Sequence, residues 1–363
     1  MKKIVIIAAA IAALAACSKN EVYRQEASPI SFAPNAMTTK ALILPDASQA
    51  DTLAFPTSES FNVFAFADLD GAGTAYTTIY ANPLMNDVNI SYQNGDWKAT
   101  TGTYLWPATG TVDFYAYYPG NLTAVFDSTA RKINLTGISL GATIGDQIDP
   151  LVGNCLAQLA PSKPKVKLIF KHITSQIAAT AFDATQTISL QGKISIEKVV
   201  FKNMKTSGDY ADGTTLGKGL WTNTNTITDF ISFSGSEVLS TSESYLSAGS
   251  FSTAIDNSAA FVVVPDIVTD DATTGQAVEV TYSIAPYTIN GFSYPATPSQ
   301  TVSVPLYNLV SGNKFQNGKR YVFHLGISLD GANNEIMFSP AVVGWETEDI
   351  NNITIDAVNA VLL

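Results

Sequence analysis

Cysteine and histidine are almost absent from this sequence, with two residues of each among 363. A Ser-His-Asp or Cys-His arrangement would therefore have to use His172 or His324. His172 follows the alternating apolar residues of segment 166–170 at even spacing, so we expect a core or boundary histidine. Cys155 has no adjacent base, so we expect a buried, unreactive thiol. No catalytic residue is predicted, and an enzyme would depend on an acidic pair that no motif marks.

Charge is also scarce, because only 14% of the residues are charged and the net charge is −11. The few lysines are scattered, which argues against nucleic acid or an anionic membrane surface as a partner. Two acidic stretches, 68–73 and 266–271, lack the ligand spacing and closing glutamate of a calcium loop. We interpret both as turns, because Asp and Gly suit the tight backbone of a turn. We therefore predict no metal and no cofactor.

Apart from the N-terminus, no helical apolar period is sustained for three turns. Short alternating runs recur instead between Gly, Pro, Asn and Asp, most clearly from residue 321 to residue 329. The class is therefore predicted to be all-β, and the length suits two tandem β-sandwich domains. Pro161 and Pro164 interrupt the pattern. They predict a boundary between an N-terminal domain at 30–160 and a C-terminal domain at 161–363.

The N-terminus carries an export signal, with two lysines followed by an apolar run too short to span a bilayer. Leu14, Ala15 and Ala16 before Cys17 resemble a bacterial lipobox, at which residues 1–16 are removed and the cysteine is acylated. Two or more acyl chains hold a protein stably at a membrane. We therefore expect a lipoprotein with a tether at 17–29. The alternative is an ordinary signal followed by a chance cysteine.

Four aromatic residues are the strongest candidates for a sugar-stacking surface: Trp106, Tyr115, Tyr117 and Tyr118. At strand spacing, aromatic residues more often fill a core or pair across strands. A permanently tethered, glycan-binding surface lipoprotein is nevertheless kept as the alternative function. Its mark would be two or three aromatics on a shallow exposed platform.

Several segments taken together resemble the fimbrillin family, the Mfa-like and FimA-like pilins of Bacteroidales. Besides the lipobox, the segments are ISFAPNAMTTKALIL (30–44), FNVFAFAD (61–68), YLWPATGTVDFYAYYP (104–119), VKLIFKHITSQIAATA (166–181), NGKRYVFHLGISLDG (317–331) and VVGWETED (342–349). The resemblance implies two transthyretin-like β-sandwich domains in an outer-membrane lipoprotein precursor. It also implies assembly with other pilin subunits into an adhesive fimbrium at the cell surface by donor-strand exchange.

In such a pilin the first strand is a temporary filler that an extracellular trypsin-like or Arg/Lys-specific protease removes. Here the filler would be Ile30, Ser31 and Phe32, and the cut would follow Lys40 in a polar, small-residue stretch. Family members are commonly cut after a basic residue, often arginine, in this place, so Lys40 is a departure from the usual residue. Arg24 is the alternative site, although a cut there would leave the strand in place. Lys40 could also be a loop lysine in a chain that is never cut.

The C-terminal segment 350–363 is a candidate donor strand. Its apolar residues line one face and are Ile353, Ile355, Ala357, Val361 and Leu363, with Asn359 as the only break. The alternative is that this strand pairs within its own second domain. The pattern alone does not choose between the two.

Lipidation gives a direct prediction, because the chain has one cysteine in the lipobox and one elsewhere. Cys17→Ser should abolish incorporation of labelled palmitate and release the protein from the membrane fraction. Cys155→Ser, the matched control, should label and fractionate like the natural chain. Palmitate labelling of the Cys17→Ser variant would contradict the lipobox interpretation.

Overall fold

The structure is a computed structural model, and it describes residues 28–36, 55–69, 82–159, 165–247, 250–252, 260–271, 273–307, 309–329 and 346–347. Within these ranges the chain forms β-strands and three short 3-10 turns, at Ile144–Asp146, Ile188–Leu190 and Ser311–Asn313, and no α-helix. The all-β prediction is confirmed. None of the helical segments described is long and apolar enough to cross a membrane.

The first half of the chain contributes nine strands. They are β1 (Phe32–Ala36), β2 (Ser60–Asp68), β3 (Met85–Gln93), β4 (Asp96–Ala99), β5 (Thr111–Tyr118), β6 (Thr123–Asp127), β7 (Lys132–Ser139), β8 (Leu151–Leu159) and β9 (Val166–His172). Seven of them close into a barrel in the order β1-β4-β3-β2-β5-β8-β9. Its walls face each other across a core rich in aromatic side chains, which include Phe55, Phe61, Trp97, Phe114 and Phe170.

The second half contributes fourteen described strands. They are β10 (Ser175–Asp183), β11 (Ile194–Lys205), β12 (Ser207–Ala211), β13 (Leu220–Thr222), β14 (Ile227–Val238), β15 (Ser244–Ser247), β16 (Ser250–Ser252), β17 (Ala260–Val263), β18 (Ala277–Ile284), β19 (Tyr287–Ile289), β20 (Phe292–Tyr294), β21 (Thr297–Pro305), β22 (Lys319–Ile327) and β23 (Glu346–Thr347).

Two sheets of this half pack face to face as a sandwich. One has the order β16-β15-β10-β22-β23, with β17 also pairing with β10, and the other has the order β14-β11-β18-β21. Strict alternation along β18 points Val278, Val280 and Tyr282 into the core between the sheets. Phe201, Phe261 and other apolar residues of the facing strands fill the rest of this core.

The two halves share one further sheet, in the order β13-β12-β7-β6, in which β7 of the first half pairs with β12 of the second. Its core joins both halves, for example Leu135 with Trp221 and Val262. Gln147 strengthens this junction, because its side chain donates to the Val262 carbonyl and accepts from the Val262 amide, both at 2.7 Å. Trp221 Nε1 donates to the carbonyl of Ile173 at 2.8 Å.

Strand β9 belongs to the first barrel, although the two prolines before it predicted a boundary at residue 160. It pairs antiparallel with β8 and parallel with β1, and Val166, Leu168 and Phe170 enter the first core. The change from the first barrel to the second sandwich comes between β9 and β10. Prolines interrupt a strand pattern, but they do not specify which sheet the next strand joins.

Removal of the Gln147 side chain should destabilise this junction. Gln147→Ala leaves a buried amide and a buried carbonyl of Val262 without their partner, at a cost of roughly 1–3 kcal/mol for each group. The free energy of unfolding from urea titrations should fall accordingly. Gln300→Ala, which removes an exposed amide, should change it by less than about 0.5 kcal/mol. Equal effects of the two substitutions would contradict the assigned role of Gln147.

Candidate functional site

Strand β1 closes the first barrel, and it is held very unequally by its two neighbours. It runs parallel to β9 over five residue pairs, from Phe32 opposite Val166 to Ala36 opposite Phe170. On its other side it meets β4 at one pair only, Phe32 opposite Trp97. The ladder is therefore almost complete on the β9 side and nearly absent on the β4 side.

The extended segment begins before β1 itself. Ser28 and Ile30 exchange backbone hydrogen bonds with the stretch around Leu105: the Ile30 amide donates to the Tyr104 carbonyl at 2.9 Å, and the Trp106 amide donates to the Ser28 carbonyl at 3.1 Å. Ile30 is 4% exposed and Phe32 is 1% exposed, while Ser31 is half-buried. The three residues proposed as the filler thus form the start of a buried extended segment.

Phe32 is the main anchor of this segment in the core. Its ring lies edge-to-face against Phe61, at a centroid distance of 6.1 Å, and against Phe114, at 5.7 Å. A buried aromatic side chain covers about 150–250 Å² of surface. Loss of this residue would therefore open a pocket lined by other aromatic rings.

Pro34 suits the poorly paired side of β1. It lies in the middle of the strand, opposite Leu168, and it is buried. The Val166 amide bonds the Ser31 carbonyl, so alternate residues 31, 33 and 35 direct their backbone groups to β9. Pro34, which has no N–H, directs its nitrogen to the β4 side, where β1 makes only one pair. The ladder with β9 and the burial of side chains therefore hold β1 in place together, with little help from β4.

The other proposed site residues lie outside the described residues. These are Cys17, Arg24, Lys40 and the five apolar positions of the candidate donor strand, Ile353, Ile355, Ala357, Val361 and Leu363. The last described residues before the candidate donor strand form β23, which pairs parallel with the first two residues of β22.

Both histidines lie in polar contacts that explain them without catalysis. His172 is buried, and its Nδ1 lies 2.6 Å from Asp149 Oδ2, while Asp149 Oδ1 accepts a hydrogen bond from Thr174. His324 Nδ1 faces both Thr180 Oγ1, at 2.9 Å, and Glu243. A proton relay needs the two ring nitrogens to contact the nucleophile and the acid separately. In His324 the same nitrogen meets both groups.

The remaining sequence candidates for chemistry are structural. Cys155 is half-buried rather than fully buried, and burial raises the pKa of its thiol, with the nearby charge of Asp113 acting the same way. Asp266 and Asp271 accept hydrogen bonds from backbone amides of their own turns. No cluster of three metal-ligating side chains occurs among the residues the structure describes.

The four aromatics considered for a sugar-stacking surface fill a core instead, as their strand spacing favoured. Trp106, Tyr115, Tyr117 and Tyr118 are all buried, with between 0% and 6% of each residue exposed. The Tyr117 hydroxyl donates to Asp87 at 2.6 Å, and the Tyr118 hydroxyl donates to Glu59 at 3.0 Å. Burial raises the pKa of both phenols. These rings pack the barrel and its covering sheet.

The family model described as fimbrillin-like matches residues 47–345, which is most of the chain. The chain belongs to the fimbrillin-like family, so the resemblance seen in the sequence is confirmed. This family consists of structural fimbrial proteins and not of enzymes, and it implies a pilus subunit at the cell surface. No protein of curated function matches the sequence significantly.

Solved structures with this fold include a fimbrial protein from Bacteroides vulgatus. It is 14% identical, the match covers 87% of this chain and 99% of that one, and the TM-score is 0.50. A fimbrial assembly protein from Parabacteroides distasonis is 12% identical over 90% of this chain and 99% of that one, with a TM-score of 0.40. At these identities the first likeness shows the fold alone.

Sequence reasoning missed the partner of the candidate filler strand. The alternation of 166–170 marks a strand with one buried face, but it carries no information on which strand lies beside it. It also missed the single-pair contact between β1 and β4. Pro34 was a visible signal of a strand with one poorly paired side, since proline inside a sheet is confined to positions whose N–H would face no partner.

Truncation of the Phe32 anchor should loosen β1 before the rest of the barrel. Phe32→Ala removes about 3–5 kcal/mol of packing, so the Val166 amide, which donates to the Ser31 carbonyl at 2.9 Å, should exchange hydrogen for deuterium faster. Phe292→Ala, the same change at a residue 70% exposed, should leave this exchange unaltered. Unchanged protection in Phe32→Ala would show that Phe32 does not anchor the strand.

Proposed function

We propose that this chain is a fimbrial subunit that is exported as a lipoprotein acylated at Cys17, held at the outer membrane, and assembled by replacement of its first strand. The observation that carries the proposal is the position of β1, which fills the core through Phe32 yet pairs with β4 at a single residue. When such a strand leaves, the barrel loses the five-pair ladder with β9 and the burial of Phe32, and a replacement strand must supply both.

Proteolysis after Lys40 would release β1 from the rest of the chain. A cut there separates the segment that contains β1 from β2 and the rest of the chain, so that β1 is held by non-covalent contacts alone. A cut at Arg24 would leave β1 joined to β2, and the barrel would stay closed. A trypsin-like or Arg/Lys-specific extracellular protease would cut after Lys40. We propose such a protease as a partner of this chain, in addition to other fimbrial subunits.

A strand from a neighbouring subunit then refills the gap. Departure of β1 exposes the backbone edge of β9 together with an aromatic pocket, and such an edge accepts an added strand. The candidate donor within the chain is segment 350–363. Ile353, Ile355 and Ala357 recur at the two-residue period that would put all three in the vacated groove. The fimbrium so formed is the proposed adhesive structure.

The alternative is a permanently tethered lipoprotein that captures glycans on exposed aromatic rings. The four rings that suggested it are buried. The exposed rings among the described residues include Phe292 and Tyr294 of the β19–β20 hairpin, at 70% and 44%, and Tyr294 stacks on Tyr287 at a centroid distance of 4.8 Å. A glycan binder would have to use rings such as these.

Processing is tested by N-terminal sequencing of protein recovered from surface filaments. The natural chain should begin at Ala41. Lys40→Gln should keep its acylated N-terminus and form no filaments, whereas Lys40→Arg, the matched control, should be cut and polymerise. Arg24→Gln should behave like the natural chain. Filaments whose subunits still contain residues 28–36 would contradict the mechanism.

The donor role has a separate test. A chain that lacks residues 357–363 should be processed normally and remain a monomer, as judged by electron microscopy and size-exclusion chromatography. Substitution of Asn359 by Ser, which leaves every apolar position of the strand intact, should still polymerise. Normal filaments from the truncated chain would remove the donor role from this segment.

A further inference from the structure

The β19–β20 hairpin lies at the end of the second sandwich that is far from the first barrel. Strand β11 runs from Ile194 to Lys205, and β12, which follows it closely, pairs with β7 of the first half. The beginning of β11 therefore lies at the far end of the sandwich, where Ile284, the last residue of β18, is opposite Ile194. The hairpin comes directly after β18 along the chain, so it forms part of this far end.

One face of the hairpin carries only aromatic and aliphatic side chains. Tyr287 lies directly opposite Tyr294, and Ile289 lies directly opposite Phe292, so all four side chains share this face. The two tyrosine rings are stacked, with a centroid distance of 4.8 Å and an interplanar angle of 9°. The remaining pair lies on the other face and consists of Thr288 and Ser293.

The hairpin is anchored through one strand and exposed through the other. Tyr287 and Ile289 of β19 pack against the core of the second sandwich. On β20, Phe292 is 70% exposed and Tyr294 is 44% exposed. Among the described residues, Tyr92 is the one other exposed aromatic residue. Two of the three exposed aromatic rings are therefore concentrated on one short strand.

The hairpin belongs to a part of the sequence that has no charge. No charged residue and no histidine occurs between Glu279 and Lys314. The 3-10 turn that contacts β19 lies in a second uncharged stretch, 184–192, in which Ile188 is 83% exposed. Charged residues are depleted and aromatic residues are enriched in the cores of protein–protein interfaces. The far end of the sandwich therefore has the composition of an interface core and not that of a solvated surface.

The hairpin also lacks the features that keep an exposed strand from contacting other chains. Among the described strands, β19 and β20 pair only with each other. Natural edge strands are commonly protected by lysine or another charged residue, and this hairpin has none. A two-stranded hairpin is marginally stable in water unless further strands or apolar groups cover it. Pro286 and Pro295 lie immediately outside the two strands, so they confine any added pairing to the hairpin itself.

Charge decides which partner fits this face. The chain has a net charge of −11, so two copies repel each other over most of their surfaces. An uncharged end is a surface at which two such copies can meet without bringing like charges together. A strongly basic or acidic partner would find no charge here to pair with. A saccharide needs hydrogen-bonding groups beside the rings, whereas the hydroxyls of Thr288 and Ser293 lie on the other face, 3.3 Å from each other.

We propose that this face is a contact between two copies of the chain, in which the β19–β20 hairpin of one copy packs on the same hairpin of the other about a two-fold axis. Such an interface is self-complementary, because each copy presents the same patch. Phe292 and Tyr294 form its centre, and Ile188 lies at its margin. Four side chains per copy bury less than a standard interface of about 1,600 Å², so the dimer is a weak one. The contact does not involve β1, so it does not depend on strand exchange.

Sedimentation equilibrium of the mature chain, residues 17–363, tests the proposal. Cys17→Ser removes any contribution of acyl chains, and the chain is left uncut so that β1 stays in its barrel. It should dimerise with a dissociation constant of roughly 1–100 µM, in keeping with an interface below the standard size. Added salt should strengthen the dimer, because it screens the repulsion between two acidic copies. A chain that stays monomeric up to about 300 µM, well above that range, would overturn the proposal.

Substitutions on the exposed strand locate the contact. Phe292→Ser combined with Tyr294→Ser should weaken dimerisation by about tenfold or more, because exposed aromatic residues at an interface centre carry much of its affinity. The fold should stay intact, since neither side chain belongs to the core. Tyr92→Ser, the matched control at the third exposed aromatic residue, should dimerise like the natural chain. Unchanged dimerisation of the double variant would overturn the proposal.

A photo-crosslinker identifies the occupant of the face. With p-benzoylphenylalanine in place of Phe292, illumination should give a covalent dimer in which the attached peptide comes from residues 285–296 of the second copy. A link to another part of the second copy would overturn the hairpin-to-hairpin arrangement. A monomeric chain that binds a neutral oligosaccharide through these rings would assign the face to a glycan and overturn the proposal. None of these results requires filaments, so failure of this contact and failure of strand exchange are distinguishable.

Discussion

The pairing of β1 with β9, together with the burial of Phe32, is the constraint on which the first barrel depends. Five residue pairs on one side and one on the other hold the strand that closes the barrel. The aromatic core is complete only while Phe32 lies between Phe61 and Phe114. Another strand of the same alternation can replace β1, because any strand can supply backbone groups to the edge of β9 and its apolar side chains can fill the place of Phe32.

The two halves of the chain are joined more firmly than tandem domains on a linker. The β7–β12 pairing places strands of both halves in one sheet, and the side chain of Gln147 bonds both backbone groups of Val262 across the junction. Strand β9 leads from the β1 groove to β10, which lies inside the second sandwich. The strand that borders the β1 groove is therefore followed directly by a strand of the second half, although the two strands lie in different sheets.

The sequence was sufficient to predict what depends on local pattern. Alternation in 166–170 and 321–329 predicted strands that the structure contains. It could not predict which strands become neighbours, because side-chain alternation fixes the face of a strand and not its partner. For this reason β9 was expected in the second domain, and four buried aromatics were considered as a platform.

The central claim is that β1 is a replaceable part of the barrel. The most direct measurement is a cryo-electron microscopy reconstruction of filaments at a resolution that identifies side chains. The account predicts that the strand between β4 and β9 belongs to a neighbouring subunit, and that an apolar side chain of that subunit occupies the place of Phe32. Density for Phe32 and Pro34 of the same chain in this position would contradict the account.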